Sequence, residues 1–199
     1  MPITLNGSGT ITGVSVGCLP DGVVDTDTLA SKAAAAAKLG DGSVVQVKHV
    51  IKTDTFTTSS ASWNDIPNLN TSITMTSSSN KVLVLVNLCI LNGVTTGSTS
   101  AVQRTTSGSS SFIGIAQSGY GSRQNGGSAE LYEPRSDTSK SVSYTVEDTP
   151  GAGTHTYTVM VDPNSYSLYV NRSESDSDAA DFVRGTSSLI VMEIVAWVL

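Results

Sequence analysis

The sequence predicts an all-β protein: an antiparallel, jelly-roll-like β-sandwich carried behind a short N-terminal segment. Three observations lead there. Ser and Thr make up 55 of the 199 residues, and Thr and Val favour the pleated, half-buried surface of a sheet. Turn clusters recur at Pro67-Asn68, Ser77–Asn80, Gly93–Thr99, Gly119–Gly127, Pro150–Gly153 and Pro163-Asn164, the punctuation expected between short strands. Between them, many runs alternate apolar with polar residues. Only 14% of residues are charged, against about 25% in an ordinary soluble domain, so hydroxyls and amides carry the surface.

Composition divides the chain into residues 1–42 and residues 43–199. In the first part, Gly9 to Gly17 alternates like a short strand pair, and Pro20-Asp21-Gly22 marks a turn. Thr26 or Asp27 can cap a helix that runs through Leu29, Ala33, Ala36 and Ala37 to Leu39, with Gly40 as its stop. Alone, a helix of about a dozen residues is marginal in water. Its small side chains suit a parallel bundle of two or three copies; a helix lying on the main domain is the alternative.

The second part supplies strand candidates at 44–57, 62–66, 69–76, 81–92, 101–106, 110–117, 128–133, 140–148, 154–162, 166–172 and 187–198. Val142, Tyr144 and Val146 oppose Ser141, Ser143 and Thr145, and Tyr157, Val159 and Val161 oppose their neighbours likewise. Such strands bury one face. Two others are apolar on both. In 81–92, Val82, Val84, Val86, Leu88 and Ile90 lie on one side and Leu83, Leu85, Cys89 and Leu91 on the other. The last strand, with Leu189, Val191, Val195 and Trp197 on one side, is similar. A single sandwich offers one core face per strand, so the second face needs a cover. A neighbouring subunit is one answer, and the N-terminal segment folded over the sheet is the other.

Catalytic and metal signatures are missing. His49, on one strand face with Val47 and Ile51, reads as a satisfied, half-buried side chain; neither it nor His155 has a motif around it, and no nucleophile elbow, paired-histidine zinc motif or P-loop occurs. Glu174, Asp176, Asp178 and Asp181 form a comb that reads as a hydrated loop and lacks the turn Gly and closing Glu of a calcium loop. Glu193, inside an apolar strand, calls for a partner such as Arg, or for protonation. Cys18 and Cys89 read as small apolar thiols, with a bridge as the alternative. A net charge of −6 without a basic block leaves nucleic acid no electrostatic foothold. The sequence therefore predicts no enzyme, no cofactor and no metal. It contains no signal-peptide pattern and no run of 18 apolar residues, so membrane insertion is not expected, and release by cell lysis fits better than export.

What remains is surface. Tyr120, Arg123, Gln124 and Asn125 in a Gly-rich loop, with Tyr132 and Arg184, are groups that suit sugars, since aromatic faces stack on rings and amides or guanidinium bond hydroxyls. A plain hairpin connection is the competing reading of that loop.

Gly9-Thr10-Ile11-Thr12-Gly13-Val14-Ser15-Val16-Gly17-Cys18-Leu19-Pro20-Asp21-Gly22, followed by Ala36-Ala37-Lys38-Leu39-Gly40-Asp41-Gly42-Ser43-Val44-Val45-Gln46-Val47, resembles the start of many cyanophage tail-fibre and virion structural proteins. Trp63-Asn64-Asp65-Ile66-Pro67, Ser78-Ser79-Asn80-Lys81-Val82-Leu83-Val84, Val170-Asn171-Arg172-Ser173 and Met192-Glu193-Ile194 are similar to landmarks of their C-terminal domain. The resemblance implies a homotrimeric virion fibre. Its N-terminus would dock on a tail or baseplate protein, and its β-domain would meet a host glycan or outer-membrane protein. Threefold symmetry would cover the two-sided strands and give the Ala helix its partners, with Leu29, Ala33, Ala36, Ala37, Leu39, Leu189, Val191, Val195 and Trp197 as the expected trimer interface. The alternatives are a head fibre or decoration protein and, from another class, a glycan-degrading tailspike.

Overall fold

In the computed structural model the chain divides into two units, Met1–Lys38 and Leu39–Leu199. The structure describes residues 4–5, 11–12, 39–92, 97–116, 125–128, 139–164 and 166–196. In the first unit, β1 (Thr4–Leu5) pairs antiparallel with β2 (Ile11–Thr12); the strand pair expected within 9–17 thus finds its partner further upstream. The expected helix lies outside the described residues.

The second unit is an antiparallel sandwich, and no helix occurs among its described residues. Its strands are β3 (Val44–Lys52), β4 (Phe56–Thr58), β5 (Asn64–Thr74), β6 (Lys81–Asn92), β7 (Thr99–Thr106), β8 (Ser109–Ile113), β9 (Lys140–Asp148), β10 (Thr154–Asp162), β11 (Leu168–Val170) and β12 (Ser187–Ile194). One sheet has the order β5-β10-β7-β8. In the other, β6 carries β9 along one edge, and on its opposite edge β12 at residues 81–87 and β11 at residues 90–92. Beyond these lie β3, paired with β12, and β4, paired with β11. Each of these end-to-end pairs acts as one interrupted strand. Counting them so, successive strands fill the two sheets in the orders 1-8-3-6 and 2-7-4-5, the wiring of a jelly roll.

Alternation decides what is buried. Val82, Val84, Val86, Leu88 and Ile90 of β6 join Val146, Leu168, Val170, Leu189 and Val191 on one inner face. Ile66, Leu69, Ile73, Val102, Ile113, Tyr157, Val159 and Val161 complete the core from the facing sheet. Each such aliphatic side chain contributes about 1.5–3 kcal/mol relative to exposure.

Three candidate runs differ from the strands observed. The run 44–57 breaks at 53–55, where the Lys52 amine, buried in the domain, meets Asp54 at 2.7 Å. Buried Asn171 also draws the chain in by donating to the carbonyls of Lys52 (3.0 Å) and Asp54 (2.9 Å). Its own φ of 61° is one that Asn tolerates better than most residues. Conversely, 62–66 and 69–76 are one strand. Between Asp65, opposite Met160, and Asn70, opposite Thr158, the chain bulges outward, held by fully buried Ile66 and Leu69. Pro67-Asn68, read as a turn, forms that bulge, with Asn68 at φ 63°.

Polar ties close the sandwich at its ends. Arg104 of β7 donates to both carboxylate oxygens of Asp148 on β9 (2.7 and 2.9 Å), and buried Tyr157 of β10 donates to the same group (2.9 Å). Burial first, and Asp148 second, push the Tyr157 phenol far above its ordinary range. Ser100 of β7 donates to the Tyr144 hydroxyl of β9 at 3.0 Å; burial pushes that phenol up to about 12.

The third tie is Glu193. Among the described residues no arginine reaches it, and neutral donors take the place of the expected ion pair. Its carboxylate accepts from Gln46 (2.5 Å), from the backbone and hydroxyl of Thr76 (2.8 and 2.7 Å) and from Asn80 (2.8 Å). Burial raises its pKa, but these four bonds together outweigh burial and hold it below the ordinary 4.5. Because the folded value is depressed, its stabilisation is present above pH 4.5 and lost as pH falls through the folded pKa. Glu193→Ala should cost about 3 kcal/mol by urea melting at neutral pH, since its donors lose their acceptor. Glu193→Gln should flatten the loss of stability on acidification; an unchanged acid profile would refute this role.

Candidate functional site

No active-site constellation forms among the described residues, and no cluster of three or more metal-ligating side chains occurs there. His155, at the start of β10, is buried and spent on structure: its Nδ1 lies 2.7 Å from the Thr106 hydroxyl and its Nε2 3.3 Å from the Gly151 carbonyl. Cys89 is a free, buried thiol, 3.5 Å from the Ser139 hydroxyl and packed against Gly185; Cys18 lies outside the described residues. The acidic loop borders an open hollow of 490 Å³ lined by Asp176, Ser177, Asp178, Ala179, Phe182 and Arg184. Arg184, expected to meet a receptor, makes a two-pronged pair with Asp176 (2.9 and 2.7 Å) while its side chain stays 65% exposed. Hydrogen bonding from Arg184 holds the Asp176 carboxyl below its ordinary value.

Tyr120, Arg123, Gln124 and Tyr132 lie outside the described residues. Asn125 does not; it is half-buried at the loop base. There Ala116 donates to the Gly126 carbonyl (3.1 Å) and Gly127 to that of Ser100 (2.8 Å). A Cβ at Gly126 would run into Thr99, so this glycine serves close packing.

The expected trimer-interface residues divide. Leu189 and Val191 are fully buried inside the sandwich, so they cannot meet another subunit; β12 turns its other side outward. Val195 is half-buried and continues the ladder, with its N–H on the Ser43 carbonyl (2.9 Å) and its carbonyl accepting from Gly42 (3.0 Å). Leu39 is half-buried. Leu29, Ala33, Ala36, Ala37 and Trp197 lie outside the described residues.

The informative surfaces are the two outer sheet faces. On β3-β12-β6 the register sets Val47 beside Met192 and Leu83, His49 beside Ile190 and Leu85, and Ile51 beside Ser188 and Asn87. These nine positions hold six aliphatic or thioether side chains and no Asp, Glu, Lys or Arg. Val47 is 53% and Ile51 56% exposed, the other seven half-buried or exposed. His49, expected to be half-buried, is exposed in the midst of this patch. Polar residues rim it on β9: Glu147 paired with Lys81 (2.6 Å), Thr145, and Ser143 bonded to Asn87 (2.9 Å).

The outer face of β5-β10-β7-β8 is the chemical opposite. One row across it reads Ser72, Thr156, Thr105, Ser110, and the next Asn70, Thr158, Gln103, Phe112. Hydroxyls bond in pairs: Ser72 with Thr156, Thr74 with Thr154 and Thr105 with Ser110, each at 2.8 Å. Trp63, just before β5, sets its ring 4.7 Å from that of Phe112 on the far edge strand. Sequence reading missed this face, although the alternating Thr154, Thr156 and Thr158 carried its signal.

Comparison with protein-family models and with curated proteins returned no match.

Because Asp176 already holds Arg184, millimolar calcium is expected to leave the melting temperature unchanged by calorimetry. A rise of several degrees would mean that the loop carboxylates prefer the ion.

Proposed function

We propose that this chain is a non-enzymatic, homotrimeric virion protein, a phage tail fibre. Its N-terminal unit docks on the tail or baseplate and its β-domain contacts the host cell surface. The observation that carries the reading is the aliphatic outer face of β3-β12-β6, whose nine central positions hold no formal charge. The same strands already bury their other face in the sandwich core, so this face has no role in closing the domain. Interface centres are depleted of charge and ringed by polar groups, as Leu85 and Ile190 are here by Thr145, Ser143 and the Glu147–Lys81 pair. Copies of the same chain supply an equally neutral partner, and rotational symmetry can bring that face into use in every subunit. The low charge and the resemblance to cyanophage fibre proteins support the virion setting. Weak contacts to a host surface would then sum through three linked copies.

Light scattering should give a mass three times the 20.6 kDa of the chain. Ile190→Asp, on the outward side of β12, should dissociate the assembly and leave the β-rich circular dichroism intact. A single well-folded chain at micromolar concentration would refute the oligomer. A trimer that fails to bind a panel of cyanobacterial cells would refute host attachment and favour a decoration protein.

A further inference from the structure

We infer that the outer face of β5-β10-β7-β8 is a binding surface for neutral polysaccharide. This rests on the host-contact reading above and specifies its site and ligand class. A sheet face that only meets water is ordinarily kept soluble by Lys and Glu. The two rows from Ser72 to Ser110 and from Asn70 to Phe112 contain neither, nor any Asp or Arg. In their place stand hydroxyls and two amides at the regular strand separation of about 4.8 Å, the length scale of a sugar ring. In each hydroxyl pair one O–H is used and the other is left to donate, with lone pairs to spare. The face thus offers donors and acceptors together, as a chain of sugars does.

The aromatic pair turns a polar face into a directional one. Phe112 is half-buried at the end of the row that holds Asn70 and Gln103, and Trp63 reaches it from the opposite edge of the sheet. By alternation Met160 and Ala101 point to this same side, and both are buried. The rings therefore stand on a packed base. Amides beside a supported ring suit a pyranose: its C–H face lies on the aromatic π-face, and its equatorial hydroxyls bond the amides. Charge selects within the class, since a face without cations on a chain of net charge −6 offers phosphorylated or carboxylated glycans no attraction. The aliphatic outer face of the other sheet lacks this pattern of donors and acceptors, so the two faces are not interchangeable.

The test uses the intact chain on an array of immobilised hexasaccharides of glucose, mannose and galactose, with sialylated and phosphorylated glycans beside them. Binding to at least one neutral glycan is expected, weakened tenfold or more in Phe112→Ala and in Gln103→Ala. Gln103→Ala removes only an amide from the surface, so its mass and melting temperature should match the parent's. Retention of anionic glycans alone, or of none while cells are still bound, would overturn the ligand class and leave host attachment standing. Equal binding by parent and Gln103→Ala would overturn the site. Loss of both glycan and cell binding in the parent would sink the attachment reading as well.

Discussion

The pairing of β12 between β3 and β6 is the constraint on which the molecule depends. Because side chains alternate with a period of two, a slip of one residue would exchange Leu189 and Val191 with Ile190 and Met192. All four are apolar, so burial alone discriminates poorly between the registers. Polar groups supply the discrimination. Glu193 can accept from Gln46, Thr76 and Asn80 only from the inward side. Ser187, at the other end, receives the Cys89 N–H and donates to Asn171. A strand greasy on both faces is thus fixed at its two ends by hydrogen bonds that a shifted register could not make.

Once that register is set, the two sheets acquire different exteriors. The central strands β6 and β12 lend their second apolar side to the outer face of one sheet. On the other, β10 alternates buried His155, Tyr157, Val159 and Val161 with Thr154, Thr156 and Thr158 outward. The same jelly-roll wiring therefore produces one exterior that avoids water and one that imitates it. Cross-sheet ties such as Arg104–Asp148 and Tyr144–Ser100 hold the two layers together from within the sandwich.

Much of this was legible in the sequence. The alternation of 140–148 and 154–162 placed two strands with the right bounds, and the apolar run 81–92 marked the central one. Inward and outward were harder to tell apart where both sides are apolar, which is why Leu189 and Val191 were expected at an interface. The bulge at Pro67-Asn68 was indistinguishable from a turn, because a turn and a bulge use the same residues; buried Ile66 and Leu69 separate them. Glu193 was marked as needing a partner, but its neutral donors arrive from β3 and from the residues following β5, a meeting that no local pattern encodes. The hydroxyl and amide rows span four strands scattered from Asn70 to Thr158, so only the sheet order assembles them.

The scarcity of formal charge at the centre of both outer faces, with Asp65 and the Glu147–Lys81 pair at their margins, has a consequence for the conditions under which the molecule could work. Ionic atmospheres weaken attractions between exposed charges at separations beyond about 8–10 Å, and here there are few such attractions to weaken. Adhesion through hydroxyls, amides and aliphatic side chains would hold nearly as well in brine as in fresh water.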